Sequence, residues 1–599
     1  ADLEKCDNKV ATLFTLNFGM FQLINEGQVR FEERAEYVHH VDSGQRIDIK
    51  INAAFRGKGE TMPGTCGGPL VSSNSRLQNP IIGIHVAGGN GSLISKAIWR
   101  EMFEHIDNQA AESVRVFNLQ QHSQSCHVGR GSQFRPTVLK PYLNEEEINY
   151  PAQMPHEPGV EIDCIQVMFE KYSTELKVEP PEYGGAVDYQ LERMLRVIGP
   201  ETRMLTEREA IKGLEGLDPI EMNTSPGIPY VYYHLRKQDL IDEEGNITSE
   251  LMRERIEKNT LLMQLGNRMD CVFMSCAKDE LRPLEKVRMG KTRVIEAAPV
   301  DVTILMRQVF GYAISRLQTK PGFATGVAVG LDPDRHWHSF YETCLRFGDK
   351  CVDLDFRNFD GSLSCFMLER AVEILGHLSG LDFNMRRSIY LTLAVSIHQM
   401  ENVRFTVCGG LPSGFSATSI LNSVVNCVNL WFVLKKIYSV EYADLGRCFK
   451  VLCYGDDAVI IASRTLTDLS EKFCGALSRQ LEALGLQGTA ADKGPIKFIP
   501  VHELRFLKRA FSRPVLGRVM PAIDKKTINS LCAWRRRGAK FEDNLNNALW
   551  FSFCHSTEDF IMLRSWMMKY LELLRIDVEL LTFRECADRL KCLPFDQFI

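Results

Sequence analysis

Over the first hundred or so residues, apolar and polar positions alternate with a period of two, as in Gln28-Val-Arg-Phe and Arg46-Ile-Asp-Ile-Lys-Ile, with Gly and Asp between the runs. Strands turn successive side chains to opposite faces, so this pattern predicts an all-β unit over residues 1–109. From Asn108 to about Tyr150 the periodicity fades into Gln, Ser, Gly and Pro, including Gln120-Gln-His-Ser-Gln-Ser and Gly129-Arg-Gly-Ser. That composition predicts a junction, placed over 110–140. After Asp188 the helical period dominates, broken by two strand-and-turn blocks near Asp355 and Asp456. A larger α+β unit over 141–599 is therefore predicted, with no repeats at solenoid spacing.

The second of those blocks, Tyr454-Gly455-Asp456-Asp457, lies between the apolar runs Val451-Leu452-Cys453 and Ala458-Val459-Ile460-Ile461. Two strand-like runs meeting at Gly-Asp predict a tight hairpin, because Gly accepts the positive φ of a primed turn. Adjacent carboxylates at such a tip repel, and a divalent cation would neutralise them. In the first block, Val352-Asp-Leu-Asp-Phe, alternation puts Asp353 and Asp355 on one face. The chain then turns through Asn358-Phe-Asp360-Gly361 into an amphipathic helix, so Asp360 sits near a helix N-terminus, where it could equally serve as a cap. Together Asp355 and Asp456 could share two divalent ions and clamp an in-line phosphoryl displacement, with Asp457 completing the shell or tuning it. Oxygen ligands favour Mg²⁺ or Mn²⁺.

Between Lys278 and Arg293 six cations (Lys278, Arg282, Lys286, Arg288, Lys291 and Arg293) stand against three acids. If the run ends on a strand, Lys291 and Arg293 share one side and could grip a triphosphate; a solvated charged face is the alternative. Arg535-Arg536-Arg537 beside Trp534 could track a nucleic-acid backbone. The loop from Gly409 through Ser413 and Gly414 leads into an apolar helix on which Thr418 and Asn422, at i and i+4, share a face able to hydrogen-bond a ribose.

The chain has 599 residues, 45% hydrophobic and 25% charged, with a formal net charge of -5. This length implies two or more folded units, and the charge carries no global nucleic-acid signature, so any such contact must be local. The 18 cysteines include no Cys-x-x-Cys pair and no zinc spacing, which points to a reducing compartment. The apolar stretch Ser419 to Leu434 is interrupted by Asn422, Asn426 and Asn429 and reads as a buried helix rather than a membrane span. With no N-terminal signal pattern, a cytoplasmic location is expected.

Taken in order, these blocks resemble the motif series of viral RNA-dependent RNA polymerases of the picornavirus-like kind. Thr224-Ser225-Pro-Gly-Ile-Pro-Tyr is similar to the template-entry motif, and the Lys278 to Arg293 strip to the nucleotide-channel motif. Asp355 to Asp360, Pro412-Ser-Gly, the Asp456 hairpin, Ala491-Asp-Lys493 and Phe506-Leu-Lys508-Arg509 follow in sequence. The resemblance implies a right-hand polymerase with fingers (about 141–346), palm with an antiparallel sheet (about 347–511) and thumb (about 512–599). It further implies Asp355, Asp456 and Asp457 as metal ligands, and Asp360, Ser413, Thr418 and Asn422 as ribose or nucleotide contacts. Lys278, Lys286, Lys291 and Arg293 would hold the triphosphate, and Lys493 would act as general acid to pyrophosphate. Thr224, Ser225, Lys508 and Arg509 would support RNA and primer. RNA template and primer, NTPs, a protein primer and a polyprotein-derived replication complex in the host cytoplasm are the implied partners, with membranes reached only through those partners. Asn358-Phe-Asp-Gly and the Pro-Leu-Glu-Lys-Val-Arg wording lean towards insect or marine relatives.

The front unit resembles the picornavirus-like cysteine protease with a chymotrypsin-type double barrel. Gly64-Thr-Cys66-Gly-Gly68 is similar to its nucleophile turn, and Gly83-Ile-His85-Val-Ala-Gly88 to the strand that reads a substrate Gln. Too few residues precede Cys66 to supply the first barrel and its general base, and His39 and His40 fall in a strand ribbon of the second. The expectation is half of a protease, unable to cleave peptides alone because an unactivated Cys is mostly thiol at neutral pH. Release sites are expected near Gln109-Ala110, Gln120-Gln121 or Gln124-Ser125. The rival readings are a protease carrying an inactive polymerase half, and a non-catalytic RNA-binding scaffold.

Overall fold

The computed structural model describes residues 9–17, 20–40, 46–58, 68–73, 81–89, 91–98, 115–126, 131–155, 164–466, 471–513, 515–594, 596 and 598. The chain separates into two compact units, Ala1–Ser113 and Val114–Ile599.

In the first unit the alternating pattern becomes six strands, Lys9–Asn17, Met20–His40, Arg46–Lys58, Pro69–Ser72, Ile81–Gly89 and Ser92–Ala97. They close into an antiparallel barrel in the order first, second, third, sixth, fifth, fourth. Its interior is filled by small and large apolar side chains, among them Leu13, Val29, Phe55, Leu70 and Leu93. The pairing register of the fifth strand shifts between His85 and Ala87. Its faces still alternate there, with Ile84 and Val86 outward and His85 and Ala87 buried. The predicted all-β unit is thus present. Cys66 and Gln109-Ala110 lie outside the described residues, as do the side chains of His39 and His40.

The second unit begins earlier than the sequence suggested. Val116–Gln121, inside the expected junction, is an edge strand paired with Val403–Cys408. Its five-stranded sheet runs in the order Val294–Ala297, Val272–Ala277, Val395–Met400, Val403–Cys408, Val116–Gln121. Phe134–Pro136 likewise pairs with Trp534–Arg536. The polar composition of 115–140 misled because an edge strand held mainly by backbone bonds needs few apolar side chains; four of the six residues of Val116–Gln121 are exposed. Two of the expected release sites are therefore held in structure: Gln120 and Gln121 pair with Arg404 and Val403, and the Gln124 carbonyl accepts from Gln399 Nε2.

The central element is a sheet of order Phe449–Tyr454, Asp457–Ala462, Lys350–Phe356, Gly488–Thr489, with Ile499–Pro500 also on Lys350–Phe356, all antiparallel. Beneath it runs the helix Thr418–Tyr438, buried at every position from Ile420 to Leu434. It is long and apolar enough to cross a membrane, but 83% of its apolar window is buried within the protein. The predicted buried helix is correct, and each Asn that interrupts its apolar run has a partner: Asn422 bonds Asp360, Asn426 bonds Gly455, and Asn429 accepts from Tyr183. A separate core around Leu545, Leu549, Phe553, Phe560 and Met567 joins the C-terminal helices Lys525–Ala533, Phe541–Phe553, Thr557–Leu573 and Phe583–Cys592.

Candidate active site

The hairpin forms as predicted: Tyr454 pairs with Asp457, leaving Gly455 and Asp456 as the two-residue turn, with Gly455 at φ +62°. In the neighbouring strand Leu354 pairs with Ala458. Continuing that register by one residue sets Asp355 beside the hairpin tip. Two acids separated by a hundred residues of sequence thus meet at one end of the sheet. The helix Thr418–Tyr438 grips the turn from below, since Ser423 Oγ accepts from Gly455 N–H at 2.8 Å and Asn426 Nδ2 donates to Gly455 O at 3.0 Å.

The electrostatics show how crowded the acids are. Burial, then the Asp456 and Asp355 charges, push Asp457 up to about 7. Asp456 is raised by burial and by Asp355, against the pull of Arg293 and Lys493. Asp360 is raised chiefly by burial, with Lys171 opposing and Asp456 adding to it. A polyvalent cation would relieve this mutual repulsion, so the donor set suits a hard, oxygen-seeking ion. Among the described residues, no three His, Cys, Asp or Glu side chains converge into a ready-made cage. That is compatible with Mg²⁺, which is usually held by one or two carboxylates together with substrate phosphates and water.

Several cations gather at the same place. Gly488–Thr489 pairs with Asp355–Phe356, which carries the turn Ala490–Gly494 to the acids. Lys493, at φ +68° in that turn, forms an ion pair with Asp355 Oδ2. Lys286 is lowered by desolvation and by the charges of Arg282, Lys493 and Arg293, with Asp355 opposing, so it lies within electrostatic range of the same cluster. Arg293 is bidentate to Glu280 and feels Asp456 and Asp360. Lys508 acts on Asp457 from a hairpin turn in which Leu507 and Lys508 both have positive φ.

Other residues singled out in the sequence lie differently. Lys291 and Arg293 do not share a strand face, because the strand starts at Val294, after a short helix Leu284–Arg288 and a turn through Gly290. Lys278 pairs with Glu280 at 3.6 Å. The Thr418 hydroxyl donates to the carbonyls of Phe415 and Pro412, which stabilises the loop entrance. Ser413 is bound to Glu296. Arg509, half-buried, donates to Leu507 O and feels the charge of Asp334. Thr224 bonds Glu221 O and Lys237, and Ser225 accepts from Gly227 N–H, so both shape a local turn. Asn422 Nδ2 donates to Asp360 Oδ1 at 2.6 Å, while its Oδ1 is buried without a partner.

Two contributors escaped the sequence reading. Arg115, 3% exposed, donates to the carbonyls of Gly361, Thr174 and Cys408, and so ties the segment after Asp360 to the start of the Gly409 loop. Glu296, fully buried, is the other. Its signal was present: in Val294–Ala297 the alternation turns Glu296 to the same buried side as Val294. In the front barrel, His85 is 1% exposed, its Nδ1 has no partner, and its N–H donates to Gly68 O, beside the expected nucleophile turn.

An antiparallel sheet that brings paired acids to a hairpin tip, backed by a buried helix and faced by cations, has the donor set for metal-assisted phosphoryl transfer. The profile of the family described as "Viral RNA-dependent RNA polymerase" matches residues 134–571. The genome polyprotein of simian hepatitis A virus genotype V (isolate AGM-27) is 43% identical over 562 residues, covering 93% of this chain and 25% of that protein. That of human hepatitis A virus genotype IIIA (isolate NOR-21) is 41% identical over 588 residues, covering 97% of this chain and 26% of that protein. A solved structure, Sicinivirus 3Dpol RNA dependent RNA polymerase, has a TM-score of 0.69 at 25% identity, over 80% of this chain and 98% of that chain. The chain belongs to the viral RNA-dependent RNA polymerase family, and it spans about 25% of the length of the polyproteins it matches. The expected lean towards insect or marine relatives is corrected by these primate hepatitis A virus matches; two short word-like segments carried too little information to place the virus.

Proposed function

We propose that this chain extends an RNA 3′-OH by templated transfer of nucleoside monophosphate from NTP, with Asp355 and Asp456 as the principal metal ligands and Asp457 beside them. The observation that carries this is the strand register that sets Asp355 next to the Gly455-Asp456 turn. Mg²⁺ or Mn²⁺ bound there would supply charge neutralisation at the attacking and leaving oxygens. The protein's share is positioning. Lys286 and Arg293 face the triphosphate side of the acids, and Lys493 lies on Asp355, within reach of the leaving-group side, where it can donate a proton. The Asp360–Asn422 pair, with Asn422 Oδ1 unpaired, suits a ribose 2′-hydroxyl, which can donate to that oxygen. Lys508 would steady the primer end.

A second reading applies to the front unit, favoured by the buried His85, whose Nδ1 has no partner, in a closed barrel. It would be the C-terminal barrel of a cysteine protease, with Cys66 as nucleophile and His85 reading a Gln side chain. RNA, NTPs, a protein primer and a cytoplasmic, membrane-associated replication complex are the partners this function would require.

Primer extension on a homopolymer template with Mg²⁺, comparing the parent with Asp456→Asn, tests the proposal. Extension by the parent and none by the variant is expected. Equal inactivity of both would favour the RNA-binding scaffold. Cleavage of a Gln-containing peptide by this chain, abolished in Cys66→Ala, would overturn the half-protease reading.

A further inference from the structure

The loop between Gly409 and Thr418 is seated on a single buried carboxylate. Glu296 Oε2 accepts from Ser413 N–H at 2.9 Å and from Ser413 Oγ at 3.1 Å. In return Glu296 N–H donates to Ser413 Oγ at 3.2 Å, and Glu296 O accepts from Gly414 N–H at 2.9 Å. Side chain and backbone of one strand residue thus engage two consecutive loop residues four times. The contact leaves no slack: a Cβ on Gly414 would lie 2.3 Å from Glu296 O.

The carboxylate is itself fixed from the far side. Lys171 Nζ donates to both oxygens, at 2.8 and 2.6 Å, and Tyr172 Oη donates to Oε1 at 2.7 Å. The Glu296 carboxylate is fully buried and Lys171 nearly so, and with this many donors the pair is rigid, since removing Lys171 would strand a charge in a low-dielectric interior. The same loop leads directly to the Asp360–Asn422 pair: Leu411 N–H donates to Asp360 O at 2.9 Å, and the helix bearing Asn422 starts at Thr418. Any shift of Ser413 is therefore passed to both sides of the proposed ribose pocket.

We infer that Glu296, held by Lys171, is a positioning residue for nucleotide selection: it fixes the Ser413 loop in the one conformation that lets Asp360 and Asn422 test for a ribose 2′-hydroxyl. This rests on the polymerase reading above. Glu296 touches no substrate and acts through Ser413.

The test measures kcat/KM for an NTP and for its 2′-deoxy analogue in the full chain, for the parent, Ser413→Ala, Glu296→Gln, their combination and Tyr172→Phe, with thermal melting recorded beside each. Ser413→Ala and Glu296→Gln are each expected to lower the NTP preference roughly tenfold, the worth of about one hydrogen bond, mainly through a higher KM for NTP. The combination should lose no more than either alone. Tyr172→Phe, which leaves Ser413 attached, should lower the melting temperature and keep the preference. An unchanged preference in Ser413→Ala and Glu296→Gln, with melting lowered, would reduce Glu296 to a structural role and overturn the inference. Should Glu296→Gln fail to fold, Ser413→Ala decides alone, since it leaves Glu296 paired with Lys171. A parent that extends no primer overturns the underlying reading instead.

Discussion

Ser423 and Asn426, one helical turn apart, hold the N–H and C=O of Gly455 at the catalytic hairpin. Replacing both with alanine removes this grip without touching an acidic residue. Among the described residues Ser423 Oγ is the acceptor for Gly455 N–H, so its loss costs about 1 kcal/mol. Asn426 Nδ2 donates to Gly455 O at 3.0 Å and more weakly to Asp456 O at 3.4 Å, while its Oδ1 is buried without a partner, so losing that oxygen removes a liability. The second replacement therefore costs about 1 kcal/mol as well, plus a small cavity. The pair should lower unfolding free energy by roughly 2–3 kcal/mol, read by urea denaturation at fixed pH. The effect on catalysis should be larger, because displacing a catalytic group by about 1 Å can cost on the order of a hundredfold in rate. Saturating-NTP primer extension should show kcat down by that order with little change in KM. Full kcat in a double variant that has lost the expected stability would refute the reasoning, since the hairpin would then hold its acids without the helix.

Other outcomes follow from the same geometry. Gly455→Asn should fold and keep the hairpin, since nothing lies within 4 Å of an added Cβ and Asn tolerates positive φ, whereas Gly455→Val should unfold it; circular dichroism with melting separates them. Gly348→Ala would set a Cβ 1.8 Å from Ala462 O, at the end of a strand of the catalytic sheet, and should lower stability by more than about 3 kcal/mol in thermal or urea unfolding. Burial alone would raise the Glu296 pKa, but Lys171 and the surrounding donors outweigh it and hold it at about 2, against 4.5 when unfolded. A depressed acid adds stability that is present above pH 4.5 and is lost as pH falls towards 2, on the order of 3 kcal/mol in full. Unfolding free energy measured between pH 6 and 3 should fall less steeply in Glu296→Gln than in the parent.

The catalytic hairpin, the Asp355 strand and the Asn-interrupted helix were legible because their chemistry is local: a turn dipeptide, a two-residue period and polar residues spaced along one apolar run. The meeting of Asp355 with Asp456 was inferred, and the strand register supplies it. The Glu296–Lys171 pair spans 125 residues and leaves only a charged residue on the buried side of a short strand as its trace. Arg115 was hidden in a polar stretch that read as linker, because edge strands held by backbone bonds carry little apolar signature. Lys291 and Arg293 are not on one strand face because the strand begins only at Val294, after the turn at Gly290.

The most direct test of the central claim is anomalous diffraction from crystals of the chain soaked in Mn²⁺ with NTP. Two peaks roughly 3.5–4 Å apart, ligated by Asp355 and Asp456, are the expected result. Manganese bound elsewhere, with the hairpin tip empty while the protein still extends primers, would contradict it.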